Sequence, residues 1–165
     1  MESLIDDIDR RILNLLQNDA RKTNTAIARE VGLSAPSVLE RIRKLESKGI
    51  IKAYRAVVDA VALGRPITAF IRVSSDGAPG TYDEFLKGLS AASREPEVLE
   101  CHSVAGEDCF ILKVKVASPT DLESLLGRLR TTARIGRTVS MIVLSTLKEE
   151  TALPVESPTP KRARH

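Results

Sequence analysis

The sequence has few aromatic residues and few cysteines. Its 165 residues include no Trp, and Phe, Tyr and Trp together make up 3% of the chain. Few large side chains are therefore available to anchor a core, and small cores of this kind often need a partner chain. The two cysteines, Cys101 and Cys109, are too few for a disulfide framework and lack the second pair that a structural zinc site needs. We expect reduced thiols, no metal site and no cofactor.

Long apolar runs are also absent. No stretch of 18 or more apolar residues occurs, so the sequence predicts no membrane-spanning helix. The N-terminus reads MESLIDDIDRR, which is acidic where a secretory signal would be basic and then apolar. We therefore expect a cytoplasmic protein without a membrane partner.

Charge is distributed unevenly along the chain. The formal net charge is only +3. Residues 1–20 carry two basic and five acidic side chains, whereas residues 21–55 carry nine basic and three acidic ones. This basic stretch favours contact with a polyanion such as double-stranded DNA. A solvated basic face on a structural helix is the alternative.

Apolar spacing predicts three helices in the first third of the chain. The first covers residues 5–18, and the second starts at a cap formed by Asn24 or Thr25. Gly32 ends the second helix, because glycine accepts the left-handed backbone of a helix C-terminus. Ser34 is a good N-cap for the third helix.

The second and third helices have the pattern of a helix-turn-helix. Gly32 permits the tight turn between them, and three apolar residues at i, i+4 and i+7 of the third helix form one buried stripe. Base contacts are then expected from the start and outward face of the third helix, at Ser34, Ala35, Ser37, Glu40, Arg41 and Lys44. The predicted phosphate contacts are Arg21, Lys22, Lys52 and Arg55. The small side chains of Ser34 and Ala35 let the helix start approach a phosphate or a base edge.

The hydrophobic period changes after the third helix. Residues 50–59 read as an extended segment and residues 60–66 as a linker, so we predict a domain boundary near residue 60. Beyond it the pattern predicts a βαββαβ order, at residues 67–73, 81–93, 98–104, 109–116, 120–132 and 138–147. This order is that of a ferredoxin-like α+β sandwich. Residues 151–165, rich in proline and basic side chains, are predicted to be a disordered basic tail.

Several segments are specific enough to indicate a family. They are IDRRIL, VGLS and ERIRKLESKGII in the first half, and VLECHSVAGEDCFILKVKVAS and RTVSMIVLSTL in the second. At these spacings the chain resembles the Lrp/AsnC (feast/famine) transcriptional regulators over residues 3–149. The resemblance implies a winged helix-turn-helix domain at residues 1–60 and that family's effector-binding RAM domain at residues 61–150. It also implies sequence-specific binding to double-stranded DNA, assembly into dimers, tetramers or octamers, and a small-molecule effector, often an amino acid.

The resemblance extends to an effector site between RAM domains. The residues that it implies there are Gly106, Glu107, Asp108, Cys109, Thr138 and Ser140. Cys109 stands where the family usually has Asp, and a thiol is a poor acceptor for an α-ammonium group. The alternatives are that Gly106 is only a hairpin turn and that Thr138 and Ser140 are structural strand residues.

Two other hypotheses use residues of the second domain. A sirohaem decarboxylase-like enzyme has a similar layout, but it would need several His, Arg or Tyr groups over a tetrapyrrole pocket, and the domain offers His102 and Tyr82. We therefore predict no catalytic residues. Cys101 and Cys109 would fall nearly opposite each other if the hairpin turned at residues 105–107, which would permit a redox-sensing disulfide. In a reducing cytosol, packed thiols are the expected state.

Overall fold

The computed structural model describes residues 4–75, 82–106, 110–132 and 135–155. Its elements are, in chain order, α1 (Asp7–Asn18), α2 (Asn24–Val31), α3 (Ala35–Ser47), β1 (Ile67–Ser75), α4 (Tyr82–Ala92), β2 (Val98–Ser103), β3 (Phe110–Val116), α5 (Pro119–Thr132) and β4 (Ile135–Ile142). The chain divides into two compact units. The first contains the chain up to Val57 and the segment from Lys148, and the second is Val58–Leu147. Of the described helices, none has the length and apolar content to cross a membrane.

The first unit contains three short helices around an apolar core. Each helix carries apolar residues at helical spacing, and the three apolar stripes meet. The buried residues are Ile12, Leu16, Ile27, Ala28, Val31, Val38, Ile42 and Leu45. α1 begins at a capping box, in which Asp6 and Asp9 each accept a hydrogen bond from the backbone N–H of the other. The predicted order of three helices with a helix-turn-helix is confirmed.

The turn between α2 and α3 follows from its capping residues. Gly32 is left-handed, with φ of 77°, and its N–H donates to the carbonyl oxygen of Ala28 at 2.9 Å. Ser34 caps α3 as predicted, because its Oγ accepts from the N–H of Ser37. The predicted cap of α2 was wrong: Thr23 is the N-cap, and its Oγ1 accepts from Ala26. Three consecutive residues here have side chains that can cap, and only the backbone conformation selects among them.

The segment after α3 is not a strand in this chain. Residues 52–59 have no strand assignment, so the predicted linker strand was wrong, and the described part of the first unit contains no β-wing. An extended backbone becomes a strand only when a neighbour supplies the partner groups for its N–H and C=O. Tyr54 instead fixes the start of this segment, because its hydroxyl donates to Glu46 Oε1 at 2.9 Å.

The second unit is a four-stranded antiparallel sheet with two helices. The strand order is β2-β3-β1-β4, which is the ferredoxin-like arrangement predicted from the βαββαβ pattern. β1 lies in the centre, where Ile71 is opposite Leu112 of β3 and Ser140 of β4. Both flanking strands are therefore registered against the same buried residues.

One face of this sheet is covered by α4 and α5. Alternate residues of β1 and β3 are buried against apolar residues of the two helices, including Phe85 and Leu125. The other face, here called the open face, carries half-buried or exposed side chains. Its central residues are Phe70, Arg72, Ile111, Lys113, Val139 and Met141.

Two segments differ from the sequence prediction at the C-terminal end. β4 is Ile135–Ile142 rather than 138–147, because β1 begins at Ile67 and residues beyond Val143 have no β1 residue to pair with. The tail was predicted to be disordered from residue 151, but Leu153 and Val155 accept hydrogen bonds from α1 within the first unit. Residues 156–165 lie outside the described residues.

Candidate nucleic-acid interface and effector site

The outward face of α3 carries four of the predicted DNA-binding residues. The core fixes the rotation of α3, since Val38 is fully buried on the opposite side. The four residues are Ser37, Glu40, Arg41 and Lys44, and they line one cleft of about 520 Å³ together with the start of α1. Glu40 and Lys44 are exposed, whereas Ser37 and Arg41 are half-buried. The structure therefore brings these four side chains together on one surface.

The start of α3 is formed by the other two predicted base contacts. Ser34 is exposed, and its Oγ lies 2.8 Å from Ser37 Oγ. Ala35 is half-buried and packs partly against the core of the first unit, so only part of it faces outward. The first turn of a helix presents backbone N–H groups and a partial positive charge, which attract a phosphate.

Arg41 is held by two carboxylates at the start of α1. Its Nη1 donates to Asp6 Oδ2 at 2.7 Å and to Asp9 Oδ1 at 2.8 Å. Both acids raise the pKa of Arg41 above its ordinary value. The prediction that Arg41 reads a base is therefore corrected: its guanidinium joins α3 to α1, and its charge is compensated within the domain.

Asp6 combines two roles at this contact. Its pKa is lowered from the ordinary value of 3.8, first because it accepts the backbone N–H of Asp9 and then because it accepts from Arg41. The sequence showed an acidic N-terminus but not its partner, which lies 35 residues along the chain at Arg41. A motif of acids at i and i+3 before an apolar helix indicated the cap but not the ion pair.

The predicted phosphate contacts differ in how available they are. Arg21, Lys52 and Arg55 are exposed. Lys22 is half-buried, and its Nζ is 2.5 Å from Glu30 Oε1, so a phosphate would have to compete with that carboxylate. Lys48 was not predicted as a contact, yet it lines the same cleft as Lys44 and donates to the carbonyl oxygen of Leu4 at 3.2 Å. Its position one helical turn after Lys44 was the available signal.

Tyr54 links the basic segment after α3 to the helix itself. Burial of the phenol and, after it, the hydrogen bond to Glu46 raise the pKa of Tyr54 to about 12. Tyr54 therefore stays neutral and donates its proton at physiological pH. The contact fixes the chain between Lys52 and Arg55 relative to α3.

Part of the predicted effector site can be located. Gly106 is exposed, with φ of 140°, a conformation that few other residues adopt. Thr138 and Ser140 lie on one side of β4, opposite Val73 and Ile71 of β1. Glu107, Asp108 and Cys109 lie outside the described residues.

Arg130 adds a cationic group beside Thr138. Its Nη2 donates to Thr138 Oγ1 at 3.0 Å, and the arginine side chain is exposed near the end of α5. Sequence reasoning did not single out Arg130, because its neighbour lies on a different element. Arg130 and Thr138 together offer a charged donor and a hydroxyl at the edge of the sheet.

The strand register excludes direct cross-strand pairing of the two cysteines. Cys101 is opposite Leu112, so the assumption behind the disulfide hypothesis was wrong. Cys101 is a free, half-buried thiol, and burial raises its pKa. A buried neutral thiol is a poor nucleophile, so Cys101 is a packing residue.

The two residues considered for an enzyme are not close together. His102 is next to Cys101 and paired with Ile111 on the open face, where its Nε2 is 3.2 Å from Glu100 Oε2. Tyr82 begins α4 on the other side of the sheet, with its ring 6.2 Å from that of Phe85. A tetrapyrrole pocket lined by both is therefore not formed.

Both halves of the chain match known domains. Residues 5–46 match the AsnC-type helix-turn-helix domain, and residues 68–153 match the Lrp/AsnC ligand binding domain. The HTH-type transcriptional regulator LrpA of Mycobacterium tuberculosis is 38% identical over 152 residues, which cover 88% of this chain and 94% of the relative.

Solved structures of related proteins have the same fold. The feast or famine regulatory protein of M. tuberculosis, complexed with L-methionine, is 40% identical with a TM-score of 0.79, covering 87% of this chain and 95% of that one. A transcriptional regulator of Neisseria meningitidis in complex with L-Met is 28% identical with a TM-score of 0.82, covering 92% and 97%.

The names of these relatives decide between the two classes of function considered. They are transcriptional regulators, so the sirohaem decarboxylase alternative is not favoured and the chain is a regulator rather than an enzyme. With an AsnC-type helix-turn-helix followed by an Lrp/AsnC ligand binding domain, the chain belongs to the Lrp/AsnC family of DNA-binding transcriptional regulators.

Proposed function

We propose that the chain is a sequence-specific transcriptional regulator that places the outward face of α3 in the major groove of double-stranded DNA. The observation that carries the proposal is the row of Ser34, Ser37, Glu40 and Lys44 on a helix whose opposite side is buried in a core. A helix held this firmly presents base-reading groups at little cost in conformational freedom. Such a regulator acts where the chromosome is, in the cytoplasm.

Arg41 has a different part in this proposal. Its guanidinium is engaged by Asp6 and Asp9, so it positions α3 on α1 and does not read a base. Arg21, Lys22, Lys52 and Arg55 contact phosphates, and Ala35 provides clearance at the helix start. Lys22 exchanges Glu30 for a phosphate when DNA is bound.

Gel shifts with a bound genomic fragment and a scrambled duplex test this assignment. Lys44→Ala should cost about 1–3 kcal/mol on the bound fragment and reduce the preference over the scrambled duplex. Lys52→Ala should weaken binding to both duplexes by a similar factor. Lys87→Ala, an exposed lysine of α4, is the matched control and should change neither. Unchanged binding by the Lys44 variant would contradict the role of α3.

The second unit is proposed to bind a small molecule with an amino-acid backbone. Two related structures hold L-Met, which supports this class of effector. The proposed site combines Gly106, Glu107, Asp108 and Cys109 with Thr138 and Ser140. Arg130, which donates to Thr138, is a suitable partner for an α-carboxylate. Glu107 and Asp108 are suitable partners for the ammonium group.

A thermal-shift series beginning with L-Met and continuing through the other amino acids tests the effector site. Arg130→Ala and Asp108→Ala should each reduce the stabilisation by the bound amino acid, because each removes one charged partner. Cys109→Asp should increase it. Ser124→Ala, an exposed α5 residue, is the control. A ligand whose effect survives the Arg130 and Asp108 changes binds elsewhere.

The regulator is proposed to act as a dimer that assembles into tetramers or octamers through the second unit. The open face and the residues after β4 support this, because Leu144 and Leu147 are 97% and 99% exposed in one chain. An effector bound between copies contacts two chains, and it shifts the assembly by its difference in affinity for the two states.

A further inference from the structure

Two amide side chains on α1 hold the C-terminal segment of the chain. Gln17 makes two hydrogen bonds to the main chain of Leu153: Nε2 donates to the carbonyl oxygen at 2.9 Å, and Oε1 accepts from the N–H at 2.7 Å. About one turn earlier, Asn14 Nδ2 donates to the carbonyl oxygen of Val155 at 3.2 Å. Leu153 and Val155 are alternate residues, so α1 offers them the partners that a neighbouring strand would offer.

This contact recognises the main chain and not the side chains. The Leu153 side chain is 73% exposed, and its bonds to Gln17 use its backbone. Pro154 disfavours a helical backbone at Leu153, which keeps the N–H and C=O of that residue available to α1. We call the contact of Asn14 and Gln17 with Leu153 and Val155 the C-terminal clasp.

The residues that follow the C-terminal clasp are basic. Residues 156–165 contain Lys161, Arg162 and Arg164 and one acidic residue, Glu156. An extended chain spans at most about 3.6 Å per residue, so these ten residues stay within about 36 Å of Val155. That distance is about one turn of duplex DNA. A duplex bound by the first unit is therefore within their reach.

We propose that the C-terminal clasp anchors these basic residues beside the DNA-binding helices, where they make a second, sequence-independent contact with DNA phosphates. A short tether keeps their local concentration at the duplex high, and each phosphate that they neutralise releases counterions. The partner is the phosphate backbone and not a base sequence. The inference rests on DNA binding by the first unit, which brings a duplex near the tail.

The first experiment measures the charge contact through its salt dependence. The full-length protein is titrated onto a random-sequence duplex at several salt concentrations. Changing Lys161, Arg162 and Arg164 together to Ala should lower the slope of log K against log salt by up to about 2.7 per chain, at about 0.9 per phosphate contact. Lys87→Ala with Arg94→Ala, two exposed charges of the second unit, should leave the slope unchanged.

The second experiment removes the anchor and keeps the charges. Gln17→Ala and Leu153→Pro each delete partners of the clasp, and each should weaken binding to the random duplex by about threefold. Their controls are Asn18→Ala, a neighbouring amide on α1, and Leu153→Ala, which keeps the backbone N–H. Circular dichroism confirms that each variant retains its helices.

The third experiment reports on the clasp without DNA. The chain has no Trp, so a single Trp in place of the exposed Leu153 gives an isolated fluorescence signal. Its anisotropy should fall with Gln17→Ala and not with Asn18→Ala, because only the first change frees the segment.

Each outcome decides one part of the inference. An unchanged salt slope in the triple variant would overturn the phosphate contact, as would an equal fall in the Lys87 and Arg94 pair. An anisotropy that ignores Gln17→Ala would overturn the anchor. Failure of base reading by α3 would appear separately, as equal affinity for a genomic fragment and a random duplex.

Discussion

At the scale of single residues, Arg41 decides how two helices of the first unit are joined. It bonds Asp6 and Asp9, and the side chain of Asp9 is only 16% exposed. Arg41→Ala should lower the free energy of unfolding by about 1 kcal/mol, because it leaves Asp9 without its charged partner in a partly exposed site. Urea unfolding followed by circular dichroism measures this. Arg43→Ala, an exposed neighbour on α3, is the control and should change stability by less than about 0.5 kcal/mol.

The same contact predicts a dependence of stability on pH. The pKa of Asp6 is lowered from 3.8 in the folded protein, so its contribution is complete above 3.8 and is lost as pH falls through the lower folded value. Thermal melts from about pH 6 to about pH 2 should show a fall in this acidic range. Asp6→Asn should remove part of the fall, and an identical acid profile for this variant would contradict the assignment.

At the scale of elements, the turn between α2 and α3 sets the orientation of the recognition helix. Gly32 has φ of 77°, and a Cβ added there meets nothing within 4 Å, so a substitution is opposed by backbone strain and not by a clash. Gly32→Ala should cost about 1–2 kcal/mol in unfolding free energy. Gly32→Asn should cost less, because Asn tolerates the left-handed conformation. Equal losses in chemical denaturation would show that space, and not φ, is limiting.

At the scale of the whole molecule, one chain leaves an apolar surface exposed. Met141 lies on the open face and is 43% exposed opposite Phe70. Met141→Glu should shift the protein toward monomer, because a charge in a buried contact between copies is costly. Light scattering at micromolar concentration measures this shift. Tyr82→Glu, on the helix side of the sheet, is the control, and a loss of assembly in both variants would contradict the role of the open face.

The sequence by itself determined the features that depend on local spacing. Three helices followed from apolar residues at helical period, and the α3 stripe of Val38, Ile42 and Leu45 is buried as predicted. The ferredoxin-like sheet followed from the order of strands and helices, since few arrangements satisfy a βαββαβ order. The turn at Gly32 and the cap at Ser34 followed because their side chains act on backbone within a few residues.

Only the tertiary structure decided the contacts between residues distant in sequence. Arg41 reaches Asp6 across 35 residues, and Gln17 reaches Leu153 across 136. Sequence spacing carries no information about such pairs, because they depend on how helices pack and where the chain returns. The same holds for strands: residues 52–59 have strand composition, but a strand exists only where a neighbour supplies hydrogen-bond partners, and the register that places Cys101 opposite Leu112 is set by the whole hairpin.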